Sequence, residues 1–421
     1  MRQLKLVYDC TALKQGVDNS CSRSGIFFVA LNILKELMKR RDVKLALTCD
    51  STDFAYIQYV LNLEIPNKRF EFQLNSKFLA FYSRLKLLKK TTSINRDYAK
   101  KFFLQLLLLI VAPVCKLVAC FDRKKTFEDF DAYLSPAFVI SNEVKTKKYT
   151  VLHDLIPQLF SEFRSTSWKK GFWLFDLYQS LNHNDNYFSV SENTKKDFLR
   201  CYPQINPEKI TTTLLACDAH FKPSDLHSIE AIKKKYGIPL DKKYIFSLCT
   251  LEPRKNLERA VGTFVQFLKK NNINDMVFVL GGGHWKSFIE KLEGTINNLG
   301  EYKDKIIKAG YIADEDLPVL YSGAEWFCYT SAYEGFGLPP LEAMSCGCPV
   351  ITSNNSSLSE VVGDAGIMID WDSDEQHIEA YEKYYFDPQL RKTNRKKGLA
   401  RAKQFSWEKC VDEMVRVMKE G

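Results

Sequence analysis

The chain has 421 residues, 45% hydrophobic and 26% charged, a composition that leaves room for two folded domains and excludes a disordered or fibrous protein. Its formal net charge of +9 is confined to one segment: residues 84–125 carry eleven Lys or Arg against Asp97 and Asp122, and the other 49 basic and 49 acidic residues balance. The 12 cysteines include no CxxC pair, so neither a zinc site nor a disulfide framework is indicated, and those in apolar runs read as small hydrophobes in a reducing compartment.

The first ten residues, MRQLKLVYDC, turn polar too soon for a signal peptide and read as a strand. IFFVALNILKELMKR (26–40) has helical periodicity and VKLALTCD (43–50) is a second strand. Strand, helix, strand is the opening of a doubly wound α/β domain, with ligands expected at the carboxyl ends of the strands. The first loop carries SRSGI (22–26), where Ser24 reads as a helix N-cap. Residues 102–121, FFLQLLLLIVAPVCKLVACF, are the most apolar stretch. The uninterrupted part, 102–115, spans about 21 Å as a helix against a hydrocarbon core of roughly 30 Å. It reads either as a buried helix or as an interfacial one facing a membrane.

From residue 131 the alternation resumes with DAYLSPAFVI, then KKYTVLHDLIPQLF, a strand ending at His153 and Asp154, then DNYFSVSENTKKDFLRCYP, a strand feeding a helix capped by Ser191. Polar residues 223–240 suit a boundary. Beyond it KKYIFSLCTLEPRKN is a strand running into a charged loop, LERAVGTFVQFLKK an amphipathic helix, and DMVFVLGGGHW a buried strand reaching Gly281 to Gly283. FSWEKCVDEMVRVMKE is a last helix capped by Ser406. The expected division is 1–222, 223–404 and a returning helix from 405 to 421.

The densest chemistry lies in SAYEGFGLPPLEAMSCGCPVI, residues 331–351. Gly335 and Gly337 let backbone N–H groups approach a ligand, and Pro339 and Pro340 suit a helix's first turn. That N-terminus, beside Gly335, Phe336, Gly337 and Leu338, favours an anion such as a diphosphate. By spacing alone, Glu334 and Glu342 are equally a ligand-binding pair or a helix cap and a solvated residue.

With EGFGLPPLEAM and the later SSLSEVVGDAG, this run resembles the signature of the retaining nucleotide-sugar glycosyltransferases of the group 1 family, whose E-x7-E pattern Glu334 and Glu342 match. The resemblance implies the GT-B architecture: two facing, Rossmann-like α/β domains with the active site in the cleft, and a C-terminal helix crossing back to the first. It places Glu334 on the sugar hydroxyls together with the N–H groups of Gly335 to Gly337, and Glu342 on the ribose hydroxyls. A carboxylate accepts two hydroxyl hydrogen bonds at once, which suits a vicinal diol. It also places Lys255 on the leaving diphosphate with Thr250 assisting, His153 near the reacting sugar carbon, Gly25 near the donor phosphates and Tyr311 at the base. Arg254 is a spare cation, read more readily as a solvated surface residue.

Glu334, Lys255 and His153 are therefore the expected catalytic residues. No cofactor and no metal are expected, because Lys255 supplies positive charge and no DxD-like pair stands out. The wording is most similar to mannosyltransferases of bacterial surface polysaccharides, which favours GDP-mannose as donor and a lipid-linked or growing saccharide as acceptor; a UDP-sugar donor, or a catalytically idle scaffold of the same fold, stays open. The basic, apolar segment suggests peripheral attachment of a cytoplasmic protein to the anionic inner face of the cytoplasmic membrane. Nucleic acid is not an expected partner, since those cations alternate with aliphatic runs and few stacking aromatics.

Overall fold

The computed structural model of the protein describes residues 2–16, 25–94, 98–121, 125–137, 140–160, 181–248, 253–282 and 286–421. These form two parallel six-stranded sheets. The first holds β1 (Leu4–Asp9), β2 (Val43–Thr48), β3 (Ala132–Ser135), β4 (Lys147–Leu152), β5 (Asn186–Ser189) and β6 (Ile210–Thr212), in the order β2-β1-β3-β4-β5-β6. The second holds β7 (Lys243–Leu248), β8 (Met276–Gly281), β9 (Ile306–Gly310), β10 (Trp326–Tyr329), β11 (Val350–Ser353) and β12 (Ile367–Ile369), in the order β12-β11-β10-β7-β8-β9.

Parallel sheets are covered by helices on both faces, so their central strands are apolar runs rather than alternating ones. Every residue of β8, β10 and β11 is accordingly buried. The order also fixes where a ligand belongs. In each sheet the chain works outward on one side of its first strand and then on the other, so the connections diverge between β1 and β3 and between β7 and β10. The crevice outside the carboxyl ends at such a switch point is where open α/β sheets bind ligands.

Four helices belong to the first half's opening: α1 (Gly25–Leu37), α2 (Phe54–Glu64), α3 (Lys77–Ile94) and α4 (Tyr98–Phe121). The last helix, Trp407–Glu420, returns to this half. Its amphipathic face buries Trp407, Val411, Met414, Val415 and Met418, while Arg40 pairs with Asp412 and Lys419 reaches Asp42 at 2.6 Å.

The helices α3 and α4 form a hairpin that packs on α2 and is rooted at the end of the edge strand β2. The Ser76 N–H donates to Ser51 Oγ at 3.1 Å where the hairpin leaves, and the Lys125 N–H donates to Asn75 Oδ1 at 3.1 Å where it returns. Of the two readings of residues 102–121, the outer face is exposed. Ile110 is 71% accessible and Phe102 67%. Leu104 and Cys115 are the buried side chains among those described on α4. Among the described residues no helix is long and apolar enough to cross a membrane.

Candidate active site

The second sheet builds its switch point from two strand ends. After β7, residues Pro253–Lys255 make one tight turn, closed by Asn256 in the left-handed region at φ 58°. After β10, the loop through Glu334 runs alongside that turn, tied by the Ala332 N–H to the Arg254 carbonyl at 2.8 Å. These two connections bring Glu334 Oε1 to 2.6 Å from Lys255 Nζ and 2.8 Å from an Arg254 guanidinium nitrogen. All three side chains are about nine-tenths buried. Lys255 Nζ also donates to the Tyr329 hydroxyl at 2.6 Å, and Arg254 to the Tyr333 carbonyl at 2.5 Å.

Burial alone would raise the Glu334 pKa, but the charges of Arg254 and Lys255 outweigh it and hold the carboxyl at about 2. The loop itself is braced from β11 and the turn that follows. Ser353 Oγ donates to the Ser331 carbonyl at 2.6 Å, the Glu334 N–H donates to Ser356 Oγ at 3.1 Å, and Ser357 Oγ bridges the carbonyls of Glu334 and Phe336. Gly337, at φ 103°, then opens the helix Leu338–Ser345. A side chain there would be strained and would strike Leu358 at 2.7 Å.

Glu342 lies one turn into that helix. Its Oε2 accepts from the Tyr321 hydroxyl at 3.0 Å. Burial pushes its pKa up to about 7, with the Tyr321 bond opposing, Asp314 adding to the rise and His220 countering it. The two glutamates of the pattern thus differ in kind. One is a fixed anion between cations, and the other sits near neutrality with a hydroxyl as partner.

The first half contributes the opposite wall. His153, at the end of β4, has Nε2 2.7 Å from the Pro136 carbonyl. A carbonyl only accepts, so Nε2 carries the proton; burial lowers the pKa, and the neutral ring keeps Nδ1 as an acceptor. Gly25, at the start of α1, faces Leu338: a Cβ on it would lie 4.0 Å from Leu338 Cδ1. Among the described residues, the helix Glu192–Cys201 and its cap Ser191 hydrogen-bond to the second half. The Gly335 carbonyl accepts from the hydroxyls of Ser191 at 2.7 Å and Thr194 at 3.0 Å. Tyr333 donates to Asp197 and accepts from Asn193 Nδ2 at 2.6 Å. The Glu360 carboxylate accepts from the N–H groups of Glu192 and Asn193 at 3.0 and 3.1 Å, a negative charge at the positive end of the helix.

The structure therefore brings together Lys255, Glu334, Gly335, Gly337, Leu338, His153 and Gly25, with Glu342 a turn along the same helix. Arg254 is not a solvated surface residue: its charge is taken into the cluster, paired with a glutamate eighty positions on in the chain. Phe336 offers only backbone, since its ring is buried edge-on to Phe405 at 6.0 Å. Tyr311 is part-exposed just past β9, the outer strand of the sheet. Gly281 is glycine for packing, as a Cβ would meet Ile312 at 2.3 Å. Thr250 and Gly283 lie outside the described residues. Sequence reasoning missed Tyr321 and Tyr329, which partner the acidic and basic groups, and Asp154, whose burial raises its pKa while Arg254 opposes. The HD pair at the end of β4 was the available signal for Asp154.

Comparison with known proteins gives the cleft a family. Residues 228–401 match the family model described as Glycosyl transferases group 1. O-antigen chain mannosyltransferase B of Escherichia coli is 32% identical over 300 residues, covering 70% of this chain and 75% of that protein. The chain belongs to the group 1 glycosyltransferases. This glycosyltransferase is also similar to the serotype-specific mannosyltransferase WbdA of Escherichia coli, at 28% identity over 63% of the chain and 32% of that longer protein. Among solved structures, Anabaena Alr3699/HepE in complex with UDP and glucose aligns over 100% of both chains with a TM-score of 0.69 and 17% identity. WaaG, a glycosyltransferase involved in lipopolysaccharide biosynthesis, aligns over 99% of this chain and 100% of its own with a TM-score of 0.64 and 13% identity. At those identities the likeness is one of fold, and the fold is GT-B.

Two outcomes follow from the geometry. A Cβ at position 335 would lie 2.2 Å from the His153 carbonyl oxygen, so Gly335→Ala must part the two halves; it should lower unfolding stability by about 1–3 kcal/mol and enlarge the radius of gyration in small-angle scattering. An unchanged radius together with unchanged stability would show that the halves do not meet at this spacing in solution. For Glu342 the folded pKa of about 7 lies above its ordinary 4.5, so the folded state holds an extra proton between those values. This group's contribution is lost as pH rises from 4.5 to 7. Glu342→Gln keeps an acceptor for Tyr321 and removes that loss, so the variant should gain up to about 3 kcal/mol over the parent above pH 7 and almost nothing near pH 4, read by denaturant unfolding at both.

Proposed function

We propose that the protein transfers mannose from GDP-mannose, with retention at the anomeric carbon and without a metal, onto a lipid-linked or growing saccharide in bacterial surface polysaccharide assembly, O-antigen or capsule, at the inner face of the cytoplasmic membrane. The observation that carries this reading is the buried Lys255–Glu334–Arg254 cluster at the switch point of the second sheet. Lys255 and Arg254 put two cations on Glu334 at the carboxyl ends of β7 and β10, with the buried Asp154 also feeling the charge of Arg254, and a departing diphosphate would gather its charge at this edge of the sheet. The N-terminus of the helix Leu338–Ser345 adds N–H groups and positive partial charge on the same side. Stabilising charge where it develops is the largest single source of rate in transfers of this kind.

Glu334, with its pKa near 2, stays ionised at any working pH and cannot carry a proton between acceptor and product. Its role is to accept hydrogen bonds from the sugar hydroxyls and fix the sugar against His153, whose Nδ1 accepts another. In the reaction the acceptor oxygen bonds to the anomeric carbon on the face that the diphosphate leaves. The bonding pair departs with the diphosphate, and its oxygen takes the acceptor's proton. Retention then needs no carboxylate nucleophile. That Escherichia coli relatives are named mannosyltransferases supports mannose over other hexoses.

A thermal-shift panel of GDP-mannose, UDP-sugars and ADP-glucose tests the donor. GDP-mannose at a hundred times its dissociation constant should stabilise the protein by about 2.7 kcal/mol. A shift with a UDP-sugar alone would replace the donor, and no shift with any nucleotide sugar would favour the idle scaffold. Lys255→Ala should cost two or more orders of magnitude in turnover, about 3 kcal/mol of transition-state stabilisation. Near-normal turnover would remove Lys255 from the chemistry.

A further inference from the structure

We infer that the α3–α4 hairpin is a docking surface for an anionic lipid bilayer, with the apolar outer arc of α4 in the interfacial layer and lysines of α3 on lipid phosphates. This deepens the lipid-linked acceptor reading and rests on it. Among the described residues, the exposed large apolar side chains of α4 are Phe102, Phe103, Leu106, Leu109, Ile110, Val114 and Leu117. At 100° per residue they fall within an arc of roughly 140°, and the buried Leu104 and Cys115 lie on the opposite side. An unbroken apolar arc on a helix of this length is a liability unless something covers it, and among the described residues nothing does.

Beside the arc lies a groove of about 470 Å³ between α2, α3 and α4. Lys86, Lys89 and Lys90 line one wall, and Leu108, Leu109 and Ala112 another. Lysines on the rim of an apolar trough match an amphiphile with an anionic head. The charge balance of the chain argues the same way, since residues 84–125 hold its whole net positive charge. A second copy of the chain is the wrong occupant, because pairing through this face would bring two such segments together. An anionic leaflet attracts each cation instead, and an apolar arc next to a basic rim is the composition of an interfacial helix.

The hairpin's roots give the surface its use. The hairpin leaves at Ser76, which bonds to Ser51 just past the end of β2, and returns at Lys125, which bonds to the neighbouring Asn75, on the carboxyl side of the first sheet, where the cleft opens. A bilayer held there lies beside the first half's ligand-binding edge, so the saccharide of a lipid-linked acceptor enters the cleft without its lipid leaving the membrane.

The test is co-sedimentation of the full-length protein with phosphatidylcholine vesicles, with and without phosphatidylglycerol, at low and high salt. Binding should require the anionic lipid and weaken with salt. It should fall at least about 10-fold when Lys86, Lys89 and Lys90 are all changed to Gln, and fall similarly in Ile110→Asp, whose exposed side chain tolerates the change in the folded protein. Equal binding to neutral vesicles, or no vesicle binding at all, would overturn the proposal. So would release by inorganic phosphate beyond that by chloride at equal ionic strength, which would mark a phosphate pocket, or a concentration-dependent dimer abolished by Ile110→Asp, which would make a second copy the occupant. The nucleotide-sugar thermal shift should be the same in all these variants, so a failed membrane test leaves the donor reading standing and a failed donor panel leaves this one measurable.

Discussion

A carboxylate buried between two cations is stable only while its partners stay in place, because removing either leaves charge uncompensated in a region of low dielectric. Glu334, Lys255 and Arg254 come from two loops that follow different strands, so the cluster makes the spacing of β7 and β10 a condition of its own existence. The serines that brace the Glu334 loop, and the tight turn that presents Arg254 and Lys255 side by side, are means of keeping three charges within hydrogen-bond reach. The cleft is organised around this electrostatic constraint, and the sheet supplies the rigid ends that satisfy it.

The same loop faces both ways. Glu334 points into its own half, while its neighbours Tyr333 and Gly335 hydrogen-bond to Asn193 and Thr194 of the helix Glu192–Cys201 in the other half. Donor-side geometry and closure of the cleft are therefore mechanically one thing: the backbone that positions the carboxylate is also the backbone that the first half grips. Gly335 is the narrowest point of that grip, since no side chain fits between its Cα and the strand end bearing His153.

Much of this was legible in the order of residues. Apolar runs of strand length alternating with amphipathic helices specify a doubly wound sheet, and EGFGLPPLEAM carries its own helix start and its own pair of carboxylates, Glu334 and Glu342, within one short motif. Arg254 was misread because its environment is set by a residue eighty positions away, and burial by a distant partner leaves no local trace. Tyr321 and Tyr329 were missed for a related reason: a tyrosine in an apolar strand or helix looks like core, and only the fold shows which end of the ring meets an acid or an amine. The exposure of α4 was undecidable from pattern, since a stretch apolar on nearly every side has no face to predict from.

The contact of Glu360 with the end of the helix Glu192–Cys201 has a consequence for how the two halves come together. The N-terminus of that helix is an anion receptor, and its anion is carried by the same polypeptide at an effective concentration set by the chain that joins the halves. Closure is in this sense an internal ligation, whose affinity is tuned by the length and stiffness of the connection as much as by the contacts themselves. Lengthening the connector would dilute the carboxylate and widen the resting cleft while leaving every catalytic side chain unchanged.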